Sequence, residues 1–168
     1  MQIPKGYEDF KCSLTKCSLD SDHCKSLIDD ESEIVNYDAV KNEYVRLNLK
    51  GCQCSPCSVD GLFIDSGKNY VFVEFKAGDV KIKELVQKIY DSALIFIDKD
   101  VVSTKWLREK ACFVLVTNNH DPRRELAKLG SKHSSKPFRP YIPEHIEGFF
   151  YKRVMVMTSD EFKRTYCC

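Results

Sequence analysis

Three residues near the middle of the chain have the types and spacing to do chemistry: Asp60, Glu74 and Lys76. Asp60 opens the apolar stretch VDGLFI, and Glu74 and Lys76 close VFVEFK. The two stretches read as strands, Val59–Asp65 and Tyr70–Lys76. Ser66-Gly67-Lys68-Asn69 between them is rich in residues that tolerate a tight reversal, which predicts a hairpin. Side chains two apart on a strand leave by the same face. Glu74 and Lys76 therefore project together while Phe75 turns into the core, and the hairpin sets Asp60 on the neighbouring strand. Two carboxylates held together repel unless a cation lies between them. A hard divalent ion, Mg²⁺ or Mn²⁺, prefers oxygen ligands and keeps several waters. The expected ligands are Asp60, Glu74 and the backbone carbonyl of Phe75. Such an ion acidifies water and draws charge from a phosphodiester, and Lys76 can orient that water or neutralise charge on phosphorus. Glu-x-Lys alone is common on solvated strands. Its place here, on an apolar strand with an Asp at hairpin distance and a long helix directly after, is not.

That helix is the clearest element. Ile82, Leu85, Val86, Ile89, Tyr90, Ala93 and Leu94 form one continuous apolar stripe, with Asp79 as the expected N-cap. Cys112–Val116 is an uninterrupted apolar run, suited to a strand buried on both faces. Val154–Met157 reads as a last strand and Ser159–Tyr166 as a terminal helical turn capped by Ser159. Upstream, Val45, Leu47 and Leu49 alternate with polar residues and predict a strand over 44–49. Ser26-Leu27-Ile28 and Ile34-Val35 suggest short helices. The order is helix, three strands, helix, strand, excursion, strand. It predicts one α/β domain over residues 1–168, a mixed central sheet with flanking helices.

The chain carries 26 Lys+Arg and 25 Asp+Glu, which excludes the strong basicity of a dedicated nucleic-acid binder. The charge is nevertheless uneven: residues 1–100 hold 13 basic and 18 acidic side chains, and residues 101–168 hold 13 and 7. Arg123, Arg124, Lys128, Lys132, Lys136 and Arg139 fall in a basic excursion over 118–152, with a short helix expected near Arg124–Leu129. They could track a phosphate backbone or simply form a solvated face. His120 and Asp121 begin a Pro turn. His133 and His145 read as exposed, and Trp106 reads as a packing residue. No apolar run is long enough to cross a bilayer, and the N-terminus lacks the apolar core of an export signal. A cytoplasmic protein is expected. Nine cysteines without that signal argue for reduced thiols over a disulfide framework. Six of them cluster as Cys12, Cys17 and Cys24 (beside His23), then Cys52, Cys54 and Cys57. Zinc or an iron–sulphur cluster could use four such thiolates, but buried or idle thiols are the favoured reading. Cys167 and Cys168 read as a tail.

The stretch SVDGLFIDSGKNYVFVEFKAGDVKIKELVQKIYDSALIF, residues 58–96, resembles the PD-(D/E)XK nuclease superfamily. The resemblance implies the restriction-endonuclease-like αβββαβ core over about 26–117, followed by the excursion and a final strand and helix at 153–166. It implies a metal-dependent phosphodiesterase acting on nucleic acid, DNA ahead of RNA. Asp60 and Glu74 would ligate Mg²⁺ or Mn²⁺, Lys76 would be the catalytic lysine, and Gln87 would match a glutamine on the following helix. Glu33, placed on the first helix, is the candidate for a further acidic ligand. Val59 stands where the motif has its Pro, and Tyr90 follows Gln87 by three residues where one branch has four. Some relatives carry a four-cysteine iron–sulphur cluster, but Cys52, Cys54 and Cys57 precede Asp60 and do not match that layout. A chain this small would draw specificity from a homodimer or a partner protein. Two alternatives stand beside this one: an inactive nucleic-acid- or protein-binding module on the same fold, and a cysteine–metal interaction protein.

Overall fold

The computed structural model describes residues 1–20, 25–51, 55–78, 80–118, 142–143 and 145–167. In chain order the strands are β1 (Lys11–Ser13), β2 (Leu19–Asp20), β3 (Lys25–Ser26), β4 (Glu33–Asn36), β5 (Gly61–Ile64), β6 (Tyr70–Lys76), β7 (Ala111–Thr117) and β8 (Arg153–Thr158). The helices are α1 (Leu14–Cys17), α2 (Tyr37–Asn48), α3 (Ile82–Asp100), α4 (Thr104–Lys110), the irregular turn α5 (Ile146–Phe149) and α6 (Ser159–Tyr166).

Six strands form one mixed sheet in the order β1-β4-β5-β6-β7-β8, while β2 and β3 form a separate two-stranded ribbon. Pairing is antiparallel from β1 to β6 and parallel from β6 to β8. The central strands β6 and β7 read as near-continuous apolar runs because both faces are covered. On one face Phe72, Leu62, Phe113 and Leu115 pack against Tyr37 and Val40 of α2 and Leu85, Ile89, Ala93 and Phe96 of α3. On the other, Phe63, Val71, Val73, Phe75 and Val116 pack against Leu14 of α1 and Phe162 of α6. Buried polar groups tie α3 to α2 and to the segments that lead into β5 and β8. The Tyr37 hydroxyl donates to Ser92 O at 3.0 Å, Tyr151 to Ile89 O at 3.2 Å, and the Val59 amide to Ser92 Oγ at 2.9 Å.

The β5–β6 hairpin forms as expected. Its turn closes through Asp65, whose Oδ1 accepts from the Asn69 amide at 2.8 Å, with Lys68 at φ 59°. Five expectations are corrected. Residues 44–48 belong to α2, not to a strand: Asn36 caps the helix by accepting from Ala39 N at 3.0 Å, and Tyr37, Val40 and Tyr44 supply its inward face. The alternating Leu47 is left 53 % exposed. Residues 33–36 are strand, not helix, because Ile34 and Val35 are fully buried on opposite faces of the sheet. Residues 25–26 also pair as a strand. The α6 cap is Thr158, not Ser159, and it forms a reciprocal capping box with Glu161. Among the described residues two strands, not three, run between α2 and α3, so the element order departs from αβββαβ. The expected Asp79 cap and the Arg124–Leu129 helix lie outside the described residues. Lys81 occupies the N-cap of α3.

Candidate active site

The site is assembled where the β5–β6 ladder ends. The last backbone bond there runs from Asp60 N to Val73 O at 3.1 Å. One step further along β6, the Asp60 side chain replaces the missing strand partner, and its Oδ2 accepts from Phe75 N at 2.7 Å. Asp60 is held from behind as well: its carbonyl accepts from Tyr37 N at 3.0 Å and from Cys17 Sγ at 3.1 Å. The N–H and C=O of a residue in a strand leave by the same edge, so the Phe75 carbonyl also lies on the edge beside Asp60.

Glu74 lies on the face that β6 turns toward α3 and is 0 % exposed. Its carboxylate accepts from Lys88 Nζ of α3 at 2.8 Å (Oε1) and 3.0 Å (Oε2). The same ammonium lies 3.5 Å from Asp60 Oδ1, and Lys76 Nζ lies 3.3 Å from Glu74 Oε1. Two acids, Asp60 at the entry to β5 and Glu74 on β6, and two lysines are therefore brought together. Asp38, in the first turn of α2, accepts from the Ser58 hydroxyl and from Lys41 Nζ, and adds a further negative charge nearby.

Burial dominates the electrostatics. It pushes the Glu74 carboxyl well above its ordinary range, and the Asp60 charge adds to the rise against Lys88 and Lys76. Asp60 is also raised, again by burial, against the opposing pull of Lys88 and the Phe75 amide. Burial acts to lower Lys88, but Asp60 and Glu74 outweigh it and hold the ammonium above its usual value. A cleft of about 590 Å³ opens over the group. Asp60, Lys76 and Lys88 line it, and so do Leu19 and Asp20 of the β2–β3 ribbon.

Asp60, Glu74 and Lys76 are thus brought together as the hairpin implied. Gln87 is not among them. Its side chain is exposed and donates one turn onward along the helix to Asp91 Oδ2 at 3.5 Å. Glu33 is on β4, paired with Lys11 at 3.1 Å, and takes no part in the group. The residues that sequence reasoning missed are Lys88 and Asp38. For Lys88 a signal existed: at 3.6 residues per turn it lies about 60° from Leu85 on the buried stripe, whereas Gln87 lies about 160° away. Asp38 had none, because the start of its helix was not recognised.

Among the described residues no group of three or more His, Cys, Asp or Glu side chains is arranged to hold a metal. Two carboxylates and a carbonyl nonetheless make a donor set that fits Mg²⁺ or Mn²⁺, which are usually held by one or two carboxylates and waters. The cysteine clusters gain no such set. Cys12, Cys17 and Cys57 are free thiols, while His23, Cys24, Cys52 and Cys54 lie outside the described residues, as do His120, His133 and the basic excursion from Arg123 to Arg139. His145 is exposed and bonded to the Tyr90 hydroxyl at 2.7 Å, and Trp106 packs on Tyr70 and Phe96. No helix among the described residues is long and apolar enough to cross a membrane. Comparison with family models, characterised proteins and solved structures returns no match for this chain. The functional reading therefore rests on the geometry.

Proposed function

We propose that this chain is a metal-dependent nuclease of the PD-(D/E)XK kind, hydrolysing phosphodiester bonds in DNA ahead of RNA. The observation that carries the reading is the convergence of Asp60, at the entry to β5, and Glu74, on β6, on one cationic centre, with Lys76 3.3 Å from Glu74. The antiparallel hairpin, the helix after it and the parallel β7 support this reading. The order around α2 does not.

Asp60, Glu74 and the Phe75 carbonyl would hold the ion. When bound it supplies an acidified water and neutralises charge on the phosphate. The Phe75 amide fixes one Asp60 oxygen and leaves the other turned toward Lys88 and the ion site. Lys76, with 36 % of its side chain exposed and lining the cleft, directs its ammonium to the reacting phosphate. Leu19 and Asp20 line the same cleft. The free thiols suit a reducing cytoplasm, and a homodimer or partner protein would supply specificity.

The second reading, an inactive binding module, draws on Lys88, which already neutralises the two acids without a metal. Incubation with linear, supercoiled and single-stranded DNA and with RNA separates the two. The nuclease reading expects cleavage in Mg²⁺ or Mn²⁺ that EDTA stops. Binding without cleavage of any substrate in either metal would support the module.

A further inference from the structure

Among the described residues, Lys88 is the one charged side chain on the two acids for which the nuclease reading gives no task. Its ammonium stands where a cation shared by Asp60 and Glu74 would be, 2.8 and 3.0 Å from the Glu74 oxygens and 3.5 Å from Asp60 Oδ1. A divalent ion needs contact with the same oxygens, and two cations cannot occupy one contact position. Glu74 cannot yield, because it is fully buried on a central strand. Lys88 can. Its side chain is 23 % exposed, comes from the outer helix on a flexible four-carbon stem, and already lines the cleft with Lys76.

We propose that Lys88 is an internal counter-cation, which holds Asp60 and Glu74 in place without metal and swings into the cleft when the metal enters. This rests on the nuclease reading and deepens it. In the cleft the displaced ammonium loses two carboxylates and faces Asp38 and Glu84, which already pair with Lys41 and Lys81, so a phosphate there offers it the stronger partner. Metal alone therefore binds weakly, and a phosphodiester in the cleft strengthens metal binding by giving Lys88 a new partner. The coupling is reciprocal, so metal strengthens binding of the phosphodiester by the same factor. Lys88 acts here as a positioning residue.

The test is amine acetylation of the wild-type protein read by mass spectrometry, together with Mn²⁺ titration of wild type and Lys88→Met. The expected result is that Lys88 resists acetylation without metal and reacts several-fold faster at saturating Mn²⁺, while exposed Lys83 does not change. Lys88→Met should bind Mn²⁺ at least ~10-fold more tightly than wild type, a conservative figure for one competing charge at contact distance. The labelling arm needs no variant, so it stands even where Lys88→Met folds poorly. Mn²⁺ binding with unchanged Lys88 labelling and equal affinities would overturn the inference and leave the two-carboxylate site intact. Binding by Lys88→Met alone would make the lysine a permanent block and overturn its displacement. Absence of Mn²⁺ binding in both proteins would overturn the nuclease reading as well.

Discussion

The Asp60 carboxylate accepts the Phe75 amide at 2.7 Å, at the point where backbone pairing between their strands ends. One bond thus completes the ladder and fixes an acid beside the residue lying between Glu74 and Lys76. Folding and chemistry make different demands on Asp60, and two substitutions separate them. Asp60→Ala strands a buried amide and is expected to lose roughly 1–3 kcal/mol. Asp60→Asn keeps an acceptor and should stay within about 1 kcal/mol of wild type, yet lose Mn²⁺ binding with the charge. Urea unfolding and metal titration of both variants check this. Equal stability of the two would mean that the amide bond contributes nothing.

Glu74 makes stability depend on pH. Burial and the neighbouring Asp60 push its carboxyl from an ordinary 4.5 up to about 7. A group raised in the folded state supports the fold fully below its ordinary pKa and loses that support as pH rises through the folded value. In metal-free buffer, wild type should therefore lose stability relative to Glu74→Gln between about pH 5 and pH 8. Mn²⁺, which needs the ionised carboxylate, should bind wild type more tightly across the same interval. Denaturation curves at several pH values with EDTA provide the check, and a stability difference that does not move with pH would contradict it.

Gln87 and Lys88 are neighbours with opposite surroundings. Gln87→Ala removes only an exposed contact with Asp91, so stability should move by no more than ~0.5 kcal/mol and cleavage should persist. Single-turnover cleavage by Gln87→Ala reads this directly. A loss of a hundredfold or more would restore the role that its place in the sequence suggested.

How much could be read in advance follows from these residues. The hairpin was legible because Ser66–Asn69 offers turn chemistry between two short apolar runs. The long helix was legible from its stripe, and β7 from an apolar run too short for a buried helix. Residues 44–49 misled because Val45, Leu47 and Leu49 alternate inside a helix whose face is set by Tyr37, Val40 and Tyr44. The decisive evidence was the Asn36 cap, which sits outside the misleading window. Ile34 and Val35 are both buried, on opposite faces, so β4 shows no alternation to find. At the site the two acids and Lys76 followed from strand geometry. Lys88 had only its place beside the buried stripe as a signal, because it reaches the acids from a separate element, and packing of α3 on the sheet shows how near it comes.

The central claim is that Asp60, Glu74 and Lys76 form one hydrolytic site, and cleavage by matched variants tests it most directly. Wild type, Asp60→Asn, Glu74→Gln and Lys76→Met are compared on the same DNA in Mn²⁺, with folding of each confirmed by circular dichroism. Wild type should cut, and the two acid variants should lose both cutting and Mn²⁺ binding. Lys76→Met should retain Mn²⁺ while its rate falls by roughly 10²–10³, the range for removing one group that stabilises transition-state charge. Folded variants that all cut at the wild-type rate would contradict the account.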